Sequence, residues 1–221
     1  MVDFSNYPLP KRYRHHVTPY VYFPFNENIP DKEYYPPLHK ELDWKKFFSN
    51  GNPPDALDIG CAFGRYTIKY SEENLNENIF GIEVRKGPVE WMQSVIEAEK
   101  LPNVNAIWYS VANGIPFISD NSISKIFYFF PDPWFKSKHQ KRRAFQMPLV
   151  KECYRVLKDD GKLYLQTDIH DVHLYHKELL TESELFDFEE PSSWDFPTTD
   201  KEDHCIRKGF EYWRLVASPK K

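Results

Sequence analysis

The chain has 221 residues, of which 41% are hydrophobic and 17% aromatic, and a formal net charge of −4. That suits one sizeable domain, with or without an ordered extension, and aromatics at this density exclude a disordered chain. Eight glycines against 18 prolines exclude a flexible linker or a collagen-like repeat, and the longest apolar stretch, Ile126–Phe130, is far too short to cross a bilayer.

The first 54 residues hold 9 of the 18 prolines and 12 of the aromatics, with no helical or alternating period before about Lys40. They are expected to form an irregular arm that packs aromatics onto the remainder and ends in a short helix at Leu42–Phe48. Gly51-Asn52-Pro53-Pro54 marks the boundary. From Asp55 to the end, short apolar strands alternate with helical stretches, the signature of a doubly wound α/β domain. Strands are expected at Ala56–Ile59, Ile79–Glu83, Val104–Tyr109, Ser124–Phe130, Lys162–Gln166 and Tyr212–Val216. Helices are expected after Gly64 to about Ser71, from about Pro88 to Lys100, at Met147–Leu157, and at about Val172–Thr181. Asp159-Asp160-Gly161 would end the third of these, its glycine suiting a left-handed cap.

The turn DIGCAFG, Asp58–Gly64, leaves a strand and opens a helix. Gly60 permits a tight turn and close approach of a ligand, and Gly64 lets the helix start pack close to the sheet. Glu83 ends the second strand, 23 residues after Gly60, where a carboxylate can accept both ribose hydroxyls of an adenosine. A pyrophosphate is disfavoured because Ala62 replaces the middle glycine, bulky Phe63 follows and Asp58 would repel it. Asp58 suits the ammonium of a methionine moiety, so S-adenosylmethionine is expected rather than NAD.

The fourth strand runs directly into FFPDPWFKSKHQKRR, Phe129–Arg143, which places Asp132 at the carboxyl edge of the sheet where ligands of open α/β folds sit. Trp134 and Phe135 offer flat surfaces for a base. Five cations between Lys136 and Arg143 offer phosphate contacts, as does a second basic knot at Lys11, Arg12, Arg14, His15 and His16. Gln166-Thr167-Asp168 brings a second carboxylate to the same edge, either as a helix cap or as a functional group. His170, His173 and His176 lack a complementary ligand set and are expected to be surface histidines, with no metal. Cys61, Cys153 and Cys205 fit neither metal nor disulfide spacing, and the N-terminus lacks an apolar signal region, so a cytoplasmic location is expected.

These motifs, with FGIEVR at Phe80–Arg85, LQTD at Leu165–Asp168 and TTDKEDHCIRKG at Thr198–Gly209, resemble the tRNA (guanine-N7)-methyltransferases over nearly the whole chain. The arm, with KRYRHHVTP at Lys11–Pro19, looks like that of some bacterial and eukaryotic members. The resemblance implies a mostly parallel seven-stranded sheet of class I methyltransferase type over residues 55–221, and methyl transfer from S-adenosylmethionine to N7 of a guanosine in the tRNA variable loop. It implies that Gly60, Glu83, Arg85, Ala112 and Phe129 meet the cofactor and that Asp132 stands at the reacting centre. Lys136 and Asp168 match substrate-contact positions, and Thr199 and Glu202 match the ends of a T-x-x-E segment bordering the target base. Some relatives act with a WD-repeat partner and others as a single chain type. Two departures stand out: the family usually has Gly at Ala62, and many members carry Asn or Asp at Val111.

Overall fold

The computed structural model describes residues 1–10, 18–135 and 137–221; the side chains of Ser137 and Lys138 fall outside that description. The basic knot at Lys11–His16 and Lys136 therefore lie outside the described residues. Seven strands form one sheet in the order β3-β2-β1-β4-β5-β7-β6. They are β1 (Ala56–Ile59), β2 (Ile79–Glu83), β3 (Val104–Trp108), β4 (Ile123–Phe129), β5 (Leu157–Thr167), β6 (Phe186–Glu189) and β7 (Trp213–Pro219). Only β7 runs against its neighbours. Every residue of β1 and β2 is buried, Asp58 and Glu83 included, which is why neither strand alternates between apolar and polar side chains.

Among the described residues six helices accompany the sheet: α1 (Arg65–Glu73), α2 (Lys86–Glu99), α3 (Ser137–Gln140), α4 (Met147–Val156), α5 (His170–Ser183) and α6 (Asp200–Lys208). Strand side chains alternate between two cores. Leu57, Ile59, Ile126 and Leu163 meet the buried stripes of α4 and α5, whereas Ala56, Ile79 and Phe127 meet Ile68 of α1 and Met92 and Val95 of α2. The strand order reverses between β1 and β4, and the carboxyl edge there is the switch point at which open α/β sheets bind ligands.

Several expectations need correction. The helix anticipated at Leu42–Phe48 is a single 3-10 turn, Trp44–Lys46, started by the Asp43 side chain accepting from Lys45 N. Its aromatics are nevertheless anchored, with the rings of Trp44 and Phe47 meeting Phe80 edge-on at 5.2 and 5.1 Å. Gly161 does not cap α4, which ends at an extended Leu157. Pairing jumps from Ile123–Leu157 to Lys125–Lys162, so residues 158–161 bulge out of β5 opposite Ser124. A Cβ at Gly161 would meet Ile123 O at 2.9 Å, so close backbone approach explains this glycine. Strand β6 and helices α3 and α6 were not anticipated. His173 and His176 are buried, not surface, residues: His173 bonds Glu190 at 3.0 Å and His176 packs between Tyr128 and Phe145.

Candidate active site

The carboxyl ends of β1, β2 and β4 open onto a cleft of about 830 Å³. Gly60, Glu83, Arg85, Ala112, Phe129 and Asp132 all line it, so the structure gathers these six sequence-predicted positions in one place. The arm completes the wall. Its 3-10 turn Pro19–Tyr22 brings Val21 and Tyr22 across the cleft, pinned where Ser110 Oγ donates to Val21 O at 2.5 Å. Asn113 reinforces the attachment, accepting from Phe25 N at 2.8 Å and donating to the Tyr35 hydroxyl at 2.8 Å. Burial and the nearby Asp132 carboxylate push the Tyr22 phenol up to about 12, so it remains a neutral donor. Sequence reasoning missed Val21 and Tyr22 because an aperiodic arm offers composition but no spacing.

The turn after β1 explains the residues it contains. Gly60 has φ +80° and Gly64 φ +67°, and between them Ala62 has φ +50°, a left-handed conformation that L side chains adopt at a cost of about 1–2 kcal/mol. This is the position at which glycine would be strain-free. A Cβ at Gly64 would lie 1.9 Å from Met92 Sδ, so its close approach is to α2 rather than to the sheet. Ala62 N donates to Glu83 Oε2 at 3.0 Å, tying the turn to the acid at the end of β2.

Glu83 is 3% exposed and fully engaged. Oε1 accepts from Arg85 N at 2.9 Å and Nε at 2.8 Å, while Oε2 accepts from Ala62 N and from Arg85 Nη2 at 3.2 Å. A carboxylate offers about four lone-pair sites, so the Arg85 side chain must yield before Glu83 can accept ribose hydroxyls. The set suits a nucleoside: a buried carboxylate beside a backbone turn, with Val111 and Ala112 of the 3-10 turn after β3 lining the same cleft.

A second cavity, about 620 Å³, lies on the other side of Gly60 and shares Phe129 and Phe130 with the first. Asp58, Tyr66, Thr199 and Lys201 line it. Asp58 is 4% exposed; burial raises its carboxyl to about 7, against the hydrogen bond from Thr67 Oγ1 at 2.6 Å. Burial, with Asp58 and Glu83 beside it, also raises the Cys61 thiol well above its ordinary value, in keeping with a packing residue. Asp168 and Glu202 line neither cavity but flank the second. Asp168 pairs with Lys201 Nζ at 2.6 Å and does not cap α5, whose N-cap is Ile169 and which has no side-chain cap. Thr199 caps α6, accepting from Glu202 N at 3.0 Å.

The basic block divides. Arg143 is buried, donating from Nε to Pro133 O at 3.1 Å with its guanidinium 4.6 Å from the Tyr175 ring centroid, so it is structural. Arg142 lies over Trp134 at 5.1 Å and Trp134 meets Tyr22 edge-on at 5.1 Å, which clasps the block to the arm. Phe135 is exposed.

The precorrin-6y C5,15-methyltransferase of Geobacter metallireducens superposes with a TM-score of 0.53 at 14% identity, covering 77% of this chain and 81% of that one. The tRNA (m1A58) methyltransferase of Aquifex aeolicus gives 0.51 at 10% identity, covering 80% and 65%. The sheet order, the turn and the acid at the end of β2 define a methyltransferase of class I fold with S-adenosylmethionine as cofactor. Residues 52–215 match a family model described as a putative methyltransferase. A tRNA (guanine-N(7)-)-methyltransferase of Prochlorococcus marinus is 30% identical over 180 residues, covering 78% of this chain and 79% of the relative, and one of Candida glabrata is 30% identical over 191 residues, covering 78% and 65%. The chain belongs to the tRNA (guanine-N(7)-)-methyltransferase family.

Proposed function

We propose that the chain methylates N7 of a guanosine in the variable loop of tRNA, with residues 55–221 as the methyltransferase domain and residues 1–54 as an arm over its cofactor cleft. One observation carries this reading: two cavities meet at Gly60 and share the walls Phe129 and Phe130, at the start of the segment that carries Asp132 and the basic block. The first suits the cofactor, with Glu83 at the ribose, Ala112 at the adenine, and Gly60, Arg85 and Phe129 around it. The second borders the target base through Thr199 and Glu202, and Asp58 serves the cofactor's ammonium from its wall. S-adenosylmethionine supplies a methyl group made electrophilic by its sulfonium.

Guanine N7 has an in-plane lone pair and no proton, so the residues need not remove one. Their work is alignment, worth several kcal/mol when a reactive geometry is held, and stabilisation of the positive charge that develops on the base. Asp132 in the cleft and Asp168 beside Lys201 divide that work: one accepts from the base's N1 and N2 donors and the other faces its charge. Lys136 and the exposed part of the basic block hold phosphates, fixing orientation without specificity. N7 lies on the major-groove edge, so the base is taken from a splayed loop or flipped out of its stack. Three free, buried cysteines suit the cytoplasm. The chain works alone or with a WD-repeat partner.

The test is to incubate purified protein with S-adenosylmethionine and unmodified tRNA and to identify methylated nucleosides by mass spectrometry, with fragment mapping. A 7-methylguanosine in the variable loop from the single chain is the expected product. Product elsewhere in the tRNA overturns the loop assignment, and bound cofactor without product points to the partner.

A further inference from the structure

The carboxylate of Glu202 is turned in an unusual direction for its place in the chain. Thr199 and Glu202 occupy the first and last positions of a capping box, in which the glutamate normally folds back onto the N-cap backbone N–H. Thr199 makes its half of that arrangement, but Glu202 does not. Its Oε1 accepts instead from Arg214 Nη2 at 2.5 Å, across from β7, and Oε2 takes no hydrogen bond from any described residue. The carboxylate is 2% exposed, so this orientation is imposed by its partner rather than by solvent.

Arg214 is held in turn. Nη1 donates to Ser192 O at 2.5 Å, Nη2 also reaches the Tyr212 hydroxyl at 3.2 Å, and the guanidinium lies 5.0 Å from the Trp194 ring and 4.9 Å from that of Tyr212. Trp194 stacks on Phe129 at 5.2 Å, the residue that walls both cavities. Near the pair, the Arg214 Nε, both amide atoms of Gln166 and the Tyr66 hydroxyl are buried without a hydrogen-bond partner among the described residues. Gln166 is the register partner of Arg214, and Tyr66 lines the second cavity. Such groups are rare in native interiors, so each calls for a polar partner, either a water or the polar edge of a ligand.

We infer that Arg214 is the positioning residue for Glu202: it draws the carboxylate out of the helix cap and leaves its second oxygen for the exocyclic amino group of the target guanine. This rests on the reading that Thr199 and Glu202 border the target base. Arg214 itself touches neither cofactor nor base.

The test compares Arg214→Met, Arg214→Lys, Glu202→Gln and the double variant Glu202→Gln/Arg214→Met. The measurements are kcat and KM for tRNA methylation, cofactor affinity by calorimetry and thermal midpoint. Arg214→Met is expected to lower kcat/KM for tRNA about 30-fold, within the range for loss of a hydrogen bond to a charged group, with cofactor affinity within about twofold of the parent. Arg214→Lys retains part of the activity, and the double variant matches Glu202→Gln alone. A tRNA carrying inosine at the target position lacks the amino group, so Arg214→Met should use it no worse than the parent does. Parent-like kinetics in Arg214→Met, losses that multiply with those of Glu202→Gln, or an equal loss on inosine would each overturn the role. Should Arg214→Met fail to fold, Arg214→Lys decides: it cannot span Glu202 and Ser192 together, so parent-like kinetics overturn the proposal. Parent-like activity in Glu202→Gln refutes the base-bordering reading itself. An impaired Glu202→Gln beside an unaffected Arg214→Met leaves that reading standing and removes Arg214 from it.

Discussion

Cofactor binding should carry the titration of Asp58. Burial raises this carboxyl to about 7, opposed by the Thr67 hydrogen bond and aided by Glu83. A positive ammonium binds the ionised form, so below pH 7 each binding event must first expel a proton. The apparent Kd then grows as one plus ten to the power of the pKa minus the pH, about eightfold between pH 7.5 and pH 6. Above roughly pH 7.7 the α-amino group of the cofactor loses its own proton, so affinity should peak just above neutrality. The folding equilibrium responds in the opposite sense: the raised pKa favours the native state below about pH 4, and this contribution is lost as pH rises through 7. At about 1.4 kcal/mol per pH unit the burial penalty approaches ~4 kcal/mol, part of which a bound ammonium relieves. Isothermal titration of S-adenosylmethionine from pH 6 to 8, with Asp58→Asn alongside, measures both effects. The variant should bind more weakly at pH 7.5 and lose the acid limb. A flat parent profile between pH 6 and 7.5, or an acid limb that survives in Asp58→Asn, would refute the reasoning.

Other outcomes follow from the same geometry. Ala62→Gly relieves a left-handed alanine and should stabilise the protein by about 1 kcal/mol, raising the thermal midpoint by roughly 2–4 °C in calorimetry; an unchanged or lower midpoint argues against strain in the turn. Asp132→Ala should bind S-adenosylmethionine normally yet lose most of its turnover, and near-full turnover would remove Asp132 from the reacting centre. His176, buried between aromatic rings, is lowered to about 3 by desolvation, with His173 and Arg143 adding to the shift. Its neutral form therefore supports folding above pH 6.5, a contribution lost as pH falls toward 3 at about 1.4 kcal/mol per unit. Urea titrations at pH 7 and pH 5 should show a smaller acid loss for His176→Phe than for the parent, and an equal loss would place the acid sensitivity elsewhere.

The parts of the fold legible from sequence were those whose periodicity survives burial. β1 and β2 fall where their apolar runs end, because Gly60 and the Val84–Arg85 step interrupt them. β6 has only four residues, partly exposed, too few for a pattern. Helix α6 carried a T-x-x-E start and Gly209 as its stop, but its first turn is almost wholly charged and only Glu202 and Cys205 are buried along it, so no apolar stripe announced it. In the site, residues on the turn, on β2 and after β4 were legible because a ligand at a switch point constrains their spacing. Val21 and Tyr22 were not, because they reach the cleft from a segment distant in sequence, nor was Arg214, whose pairing with Glu202 joins β7 to α6. Arg143 misled for a related reason: a run of cations reads as a set of phosphate contacts, whereas here one of them is a packing element against Tyr175.

The crossing of Val21 and Tyr22 over the cleft bears on where this protein can be divided. By composition the chain breaks at Pro54, and the family match begins at residue 52. Yet the cleft proposed for the cofactor is walled by residues some thirty positions before that break, held by the Ser110–Val21 hydrogen bond, the Asn113 cluster and the Tyr22–Trp134 ring contact. Evolutionary module and working unit therefore do not coincide. A polypeptide starting at Asp55 would retain the sheet and lose one side of its chamber, and exchange of spent cofactor for fresh in the intact protein is expected to keep time with the lifting of that short strap.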